Sequence, residues 1–220
     1  MLCFGFAGTA AAATYYTEGT LVIPDDATAT VDEPNEGIYA DIDLDIGDIS
    51  GIVTDVNVFV DISHTSIGDL EIYLYHSADG GDTWKSVQLF NHDLFFFPGY
   101  DYQYNSLDNM TDVLFDDQAD ISISDPTVRA PYGPGSFQPT SSPEEGESNL
   151  LADFNGDLAA GIWSLYIFDW KKGDTGTLND LHVEIATKDD PASPVPLPGA
   201  VVFLGSGLGA LAAARRARRK

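Results

Sequence analysis

Four segments of this chain alternate polar and apolar residues with a period of two, and that pattern commits it to a β architecture. Asp55-Val56-Asn57-Val58-Phe59-Val60-Asp61-Ile62 alternates over eight residues. Leu70-Glu71-Ile72-Tyr73-Leu74-Tyr75, Trp163-Ser164-Leu165-Tyr166-Ile167-Phe168 and Leu178-Asn179-Asp180-Leu181-His182-Val183-Glu184-Ile185 do the same. A period of two places every second side chain on one face of a strand, whereas an amphipathic helix needs apolar residues three and four apart. Clusters of Gly, Asp and Asn separate the segments, as at Ile67-Gly68-Asp69, Asp79-Gly80-Gly81-Asp82, Asn155-Gly156-Asp157 and Gly173-Asp174-Thr175-Gly176. No stretch outside the termini has helical periodicity. The pattern predicts an all-β fold, an antiparallel β-sandwich or jelly roll.

Residues 14–186 make one domain in this reading, with a long Pro-, Gly-, Ser- and Glu-rich loop over 125–149 and a linker over 187–194. All 35 acidic residues of the chain lie between Glu18 and Asp190, where five basic ones accompany them: Lys85, Arg129, Lys171, Lys172 and Lys188. The body therefore carries a net −30 and the remaining tail +5. Such a body repels phosphate backbones, which excludes nucleic acid as a partner. It also opposes its own compaction unless salt or cations screen it. A solvated acidic surface and a set of calcium sites both account for this charge.

The two ends point to export. Leu2 to Ala13 are apolar or small and finish in Ala10-Ala11-Ala12-Ala13, the pattern ahead of a signal-peptidase cut, so 1–13 reads as a signal peptide shortened at its start. Cys3 is the single cysteine and leaves with that segment, so the mature domain has no disulfide. At the other end Val195, Pro196, Leu197 and Pro198 precede an uncharged stretch over 199–214. A basic end of Arg215, Arg216, Arg218, Arg219 and Lys220 follows. Sixteen helical residues span about 24 Å, a little less than a hydrocarbon core of about 30 Å, and flanking arginines that snorkel make up the difference. Basic residues beside an apolar helix favour the cytoplasmic side, which leaves the body outside the membrane.

This order of Pro motif, apolar helix and Arg cluster over 195–220 resembles the PEP-CTERM sorting signal of Gram-negative bacteria, with Leu197 where the name motif has Glu. The resemblance implies processing by exosortase, cleavage near Pro198, and transient anchoring in the inner membrane before release to the cell surface or extracellular matrix.

Within the body, Val56-Asn57-Val58-Phe59-Val60-Asp61-Ile62-Ser63-His64-Thr65-Ser66-Ile67-Gly68-Asp69-Leu70 forms a first motif. A second runs from Leu151 to Gly156, through Gly161-Ile162-Trp163 to Asp169, and on to Gly173-Asp174-Thr175-Gly176-Thr177-Leu178. Phe115-Asp116-Asp117-Gln118-Ala119 lies between them. In this order the motifs resemble the P domain, or Homo B domain, of proprotein convertases and bacterial subtilisin-like proteases, over about residues 38–186. Leu181 stands where members often carry Trp. The resemblance implies a β-sandwich without catalysis, since in the proteases this domain packs on the catalytic domain and stabilises it.

The residues support the same expectations. Gly68, Gly161 and Gly176 read as turn glycines, and Trp163 as a core filler whose replacement by Ala costs about 3–5 kcal/mol. No Gly-x-Ser-x-Gly elbow is present, and His64 at a strand end reads as a turn or packing residue rather than a triad base. Histidines 76, 92 and 182 lack zinc-like spacing. Asp69, Asp116, Asp117, Asp169 and Asp174 lie in or beside turns, where they either cap backbone N–H groups or supply oxygen ligands to calcium. Tyr100, Tyr102 and Tyr104 close an aromatic stretch that either plugs one end of the sandwich or contacts a glycan or protein.

These readings combine into an exported, non-enzymatic module, structural or adhesive, that binds calcium, a matrix glycan or a surface protein. An accessory role for a separately encoded subtilisin-like protease is the alternative, and a hydrolase a remote one.

Overall fold

The computed structural model describes residues 11–17, 19–25, 39–91, 108–141, 143, 146–170 and 172–189. Residues 1–10, Tyr100, Tyr102, Tyr104 and the sorting segment 195–220 lie outside the described residues. Among the described residues ten strands form two sheets: β1 (Ala11–Tyr16), β2 (Leu21–Ile23), β3 (Tyr39–Ile46), β4 (Ile52–His64), β5 (Leu70–Ser77), β6 (Lys85–Phe90), β7 (Met110–Phe115), β8 (Gly135–Phe137), β9 (Gly161–Asp169) and β10 (Gly176–Lys188). One sheet runs β1-β10-β4-β7-β8, with β2 continuing β1 along the same edge of β10; the other runs β3-β9-β5-β6. The four alternating segments are β4, β5, β9 and β10, each longer than its alternation alone announces. The all-β, two-sheet expectation holds, and no helix among the described residues is long and apolar enough to cross a membrane.

The alternation decides what each sheet buries. From β4 come Val56, Val58, Val60 and Ile62, from β10 Leu181, Val183 and Ile185, and from β7 Val113 and Phe115. They meet Ile72 and Leu74 of β5, Val87 and Leu89 of β6, and Trp163, Leu165 and Ile167 of β9 in one continuous core. Trp163 fills its middle as expected: it is fully buried, stacks on His76 at 3.9 Å, and its Nε1 donates to the Ala159 carbonyl at 3.0 Å. A buried indole needs such a partner for its one N–H.

Three features differ from the sequence expectation. β7 and β8 pair in parallel, so the sheets are not wholly antiparallel. The stretch over 125–149 is not simply a loop. It carries β8, and it closes the edge of β6 through Thr140 N donating to Leu89 O and Gln88 N donating to Ser148 O. Gly68 does not take positive φ; it lies buried in a 3-10 turn, Ile67–Asp69. Gly161 does need its freedom: φ is +144°, and a Cβ there would sit 2.2 Å from Ser77 O. Ala11, Ala12 and Ala13, at the end of the segment read as a leader, pair with Thr187, Ala186 and Ile185 of β10.

Candidate functional site

β4 delivers His64 to one end of the sandwich, directly opposite Gly176 at the start of β10. The pairing sets the imidazole against a residue without a side chain, and a Cβ on Gly176 would fall 2.2 Å from His64 Cδ2. Gly176 has no positive φ, so the close approach of the ring is what requires glycine there. β9 brings Asp169 to the same end, its last residue crossing from Leu70 of β5. His64 and Asp169 are only 2% and 1% exposed.

The hydrogen bonds fix the histidine's tautomer. Ser66 N donates to His64 Nδ1 at 3.1 Å, so Nδ1 is the acceptor and Nε2 carries the hydrogen. Nε2 then donates to Asp169 Oδ2 at 3.2 Å. Both ring nitrogens are thus engaged, one by the backbone of its own turn and one by the other sheet. Asn109, with φ of +76°, holds the strand end from outside: its Oδ1 accepts from His64 N, and its own N donates to His64 O.

Around this pair the first and second motifs interlock. Thr65 Oγ1 donates to Asp174 Oδ1 at 2.9 Å and accepts from Thr175 N at 3.1 Å, while Thr65 N donates to Thr175 O. Trp170 N donates to Asp69 O at 2.9 Å. The Asp174 carboxyl is pushed up from its ordinary value by desolvation, and the neighbouring Asp69 carboxylate adds to that through charge and a shared hydrogen bond; the Thr65 hydroxyl works the other way. An open cleft of about 370 Å³, lined by His64, Thr65, Asn109, Gly176 and Thr177 among others, leads to this end.

The five carboxylates offered for calcium are not brought together. Asp69, Asp169 and Asp174 lie at the His64 end, whereas Asp116 and Asp117 follow β7, whose last residue Phe115 pairs with Val58 at the middle of β4. Asp117 receives Leu151 N at 3.1 Å and Ala152 N at 2.8 Å, and so caps the 3-10 turn Leu151–Phe154, which has no side-chain cap of its own. Asp116 Oδ1 receives Gln118 N at 2.7 Å. Both act as turn caps, and Asp117 ties the third motif to the second. Among the described residues, no three His, Cys, Asp or Glu side chains are placed to hold one metal ion.

Sequence reasoning missed Asn109 and the polar residues on the outer face of the β3-β9-β5-β6 sheet. There Tyr73 Oη donates to Glu71 Oε2 and Gln88 Nε2 to Tyr73 Oη, and all three residues are buried. Asn is, with Asp and His, one of the few residues besides Gly that accept positive φ, a weak signal ahead of Met110.

No family model matches the chain, and no curated protein does. Among solved structures it is similar to a chain in the crystal structure of a serine protease from Aeromonas sobria in complex with its chaperone, at 14% identity and a TM-score of 0.39. The similarity covers 82% of this chain and 27% of that one, so the chain spans about a quarter of its length.

Proposed function

We propose that the chain is a non-catalytic, P-domain-like β-sandwich of jelly-roll type that serves as a structural or adhesive module outside the cell. One observation carries this reading: the residues that form the motifs spend their polar groups on one another. His64 offers no free ring nitrogen to a nucleophile, Thr65 is bonded to Asp174 and Thr175, and Asp117 is bonded to two backbone N–H groups. A general base needs a ring nitrogen within reach of the proton that it removes. Here the same atoms fasten β4 to β9 and β10.

Export, exosortase processing at Val195-Pro196-Leu197-Pro198 and a final place at the surface or in the polysaccharide matrix of a Gram-negative cell belong to this proposal through the sequence pattern. Calcium enters it at the His64 end, where the Asp69 and Asp174 carboxylates interact and backbone and water oxygens would have to complete the shell. The motif resemblance also supports a second reading, an accessory module that stabilises a separately encoded subtilisin-like protease.

The test is expression of the full chain in a Gram-negative host that has an exosortase. The expected result is a surface or matrix fraction cut near Pro198, with no hydrolysis of peptide, ester or glycoside substrates by the purified protein. Turnover that His64→Ala abolishes overturns the non-catalytic reading, and an intact tail on the exported protein overturns the sorting. Co-purification with a subtilisin-like protease selects the second reading.

A further inference from the structure

The outer face of the β3-β9-β5-β6 sheet carries a row of carboxylates beside a row of aromatic rings. β3 is the edge strand, and its outward positions are Tyr39, Asp41, Asp43 and Asp45, all exposed. On β9 the residues opposite them are Phe168, Tyr166, Ser164 and Ile162. The rings form a connected patch: Tyr39 lies 5.1 Å from Tyr166 and 5.4 Å from Phe168, and Tyr75 of β5 lies 4.8 Å from Tyr166. Tyr39 is 45% exposed.

The electrostatics of the patch are one-sided. The Tyr166 phenol is pushed up from its ordinary value, first by burial and then by Asp41, Tyr39 and Asp43. Tyr75 is pushed up as well, by burial, Glu147, Tyr166 and Glu71. Among the described residues the ion pairs join His64 to Asp169 and Lys85 to Asp157, and neither touches this row. Asp43 is bonded to the Ser164 hydroxyl.

From this juxtaposition we infer that the outer face of β3 and β9 docks a cationic polypeptide segment in extended form, with arginines at alternate positions. Charge complementarity and spacing select this occupant. Alternate residues of a strand stand about 7 Å apart on one face, so Asp41, Asp43 and Asp45 present charges at the interval at which an Arg-x-Arg-x-Arg segment presents its own. A guanidinium is planar, stacks on Tyr and Phe faces, and bonds a carboxylate with its fork, which a lysine ammonium does not do. A neutral glycan also stacks on rings but leaves three carboxylates desolvated without counter-charge, and an acidic glycan is repelled. The inference rests on the reading of the chain as a binding module and is independent of its sorting.

The test uses the full chain and a synthetic hexapeptide of alternating Arg and Ser, titrated by calorimetry at low and physiological salt. Its Lys–Ser counterpart, a neutral β-linked hexasaccharide and an oligogalacturonate are titrated in parallel. The expected result is salt-sensitive binding of the Arg peptide, several-fold weaker binding of the Lys peptide, and none of the glycans. The combined change D41N, D43N and D45N weakens the Arg peptide at least ten-fold, while D82N, D120N and D153N, which remove the same charge elsewhere, leave it within two-fold. Y39A with Y166A removes the preference for Arg over Lys. Equal losses from both Asp sets reduce the binding to general charge and overturn the inference. Binding of the neutral hexasaccharide that Y166A abolishes, with no peptide binding, overturns it in favour of a glycan face. Neither result bears on whether the chain turns over a substrate or is cut near Pro198.

Discussion

His64 Nε2 lies 3.2 Å from Asp169 Oδ2, with both side chains fully shielded from solvent, although 105 residues separate them in the chain. The bond crosses from one sheet to the other and closes one end of the sandwich. Because Ser66 N occupies Nδ1, the same imidazole also shapes the turn that leads into β5. A hydrogen bond of this kind, buried and made to a charged group, contributes about 1.5–3 kcal/mol.

The seat of that ring predicts an unusual cost for a small change. Gly176→Ala introduces a Cβ that would lie 2.2 Å from His64 Cδ2 and 3.0 Å from Ser63 O, so either the imidazole or β10 must move. The expected loss is about 1–3 kcal/mol, the range for overpacking a well-filled site. For a domain of this size that is a drop of roughly 2–4 °C per kcal/mol in melting temperature. Thermal unfolding checks it, and a melting temperature equal to wild type rules out the close approach.

Acid unfolding is predicted to have a contribution from Asp79. It holds the turn between β5 and β6 by accepting from the Thr83 hydroxyl at 2.6 Å, Thr83 N at 2.9 Å and the Ser77 hydroxyl at 2.8 Å. These bonds, the Thr83 side chain first, lower its carboxyl from 3.8 to about 2. A depressed carboxylate stabilises the fold above its unfolded value, and that stability is lost as pH falls from about 3.8 towards 2. Asp79→Asn should therefore lower the melting temperature at pH 7 and lose that effect near pH 2, where a pH series of melts would show the two curves meeting. Asp174 runs the other way: its raised carboxyl favours the native state once protonated, and that gain disappears as pH rises through the raised value.

Much of the fold is legible because four core strands alternate polar and apolar residues in sequence, and β4 and most of β10 bury every second one, although β5 is buried on both faces. β3 obeys the same rule in Tyr39-Ala40-Asp41-Ile42-Asp43-Leu44-Asp45-Ile46 and could have been read in the same way. β7 and β8 could not, since Asp112 has a φ of +48°, and three residues around Gly135 pair in parallel across a long excursion. The candidate site was legible only in parts. His64-Thr65 and Gly173-Asp174-Thr175-Gly176 announce turns, but no local pattern says that Asp169 meets His64 or that Gly176 lies beneath its ring. The aromatic face was hidden for another reason. Tyr75, Tyr166 and Phe168 occupy the outward positions of alternating strands, and an apolar residue there looks like a break in the pattern rather than a surface.

Calcium provides a separate test of the His64 end. If the interacting carboxylates of Asp69 and Asp174 take up calcium as proposed, millimolar calcium raises the melting temperature by a few degrees over EDTA. Asp174→Asn should raise the EDTA value slightly, because one of two repelling charges is gone, and should abolish the calcium increment. Asp117→Asn should leave the increment in place, since Asp117 is bonded to Leu151 N and Ala152 N at a turn that follows a different strand end. Superimposable melts of the wild type in calcium and EDTA contradict this assignment.

The central claim, that His64 and Asp169 fasten the sandwich rather than react, is tested most directly by a double-mutant cycle in denaturant unfolding with His64→Gln, Asp169→Asn and the pair. Removing one partner of a buried hydrogen bond leaves the other unsatisfied at a cost of about 1–3 kcal/mol, and removing both costs less than the sum because neither is left unpaired. The account predicts a coupling of at least about 1.5 kcal/mol between the two sites. Additive effects with little loss of stability in either single variant would contradict it.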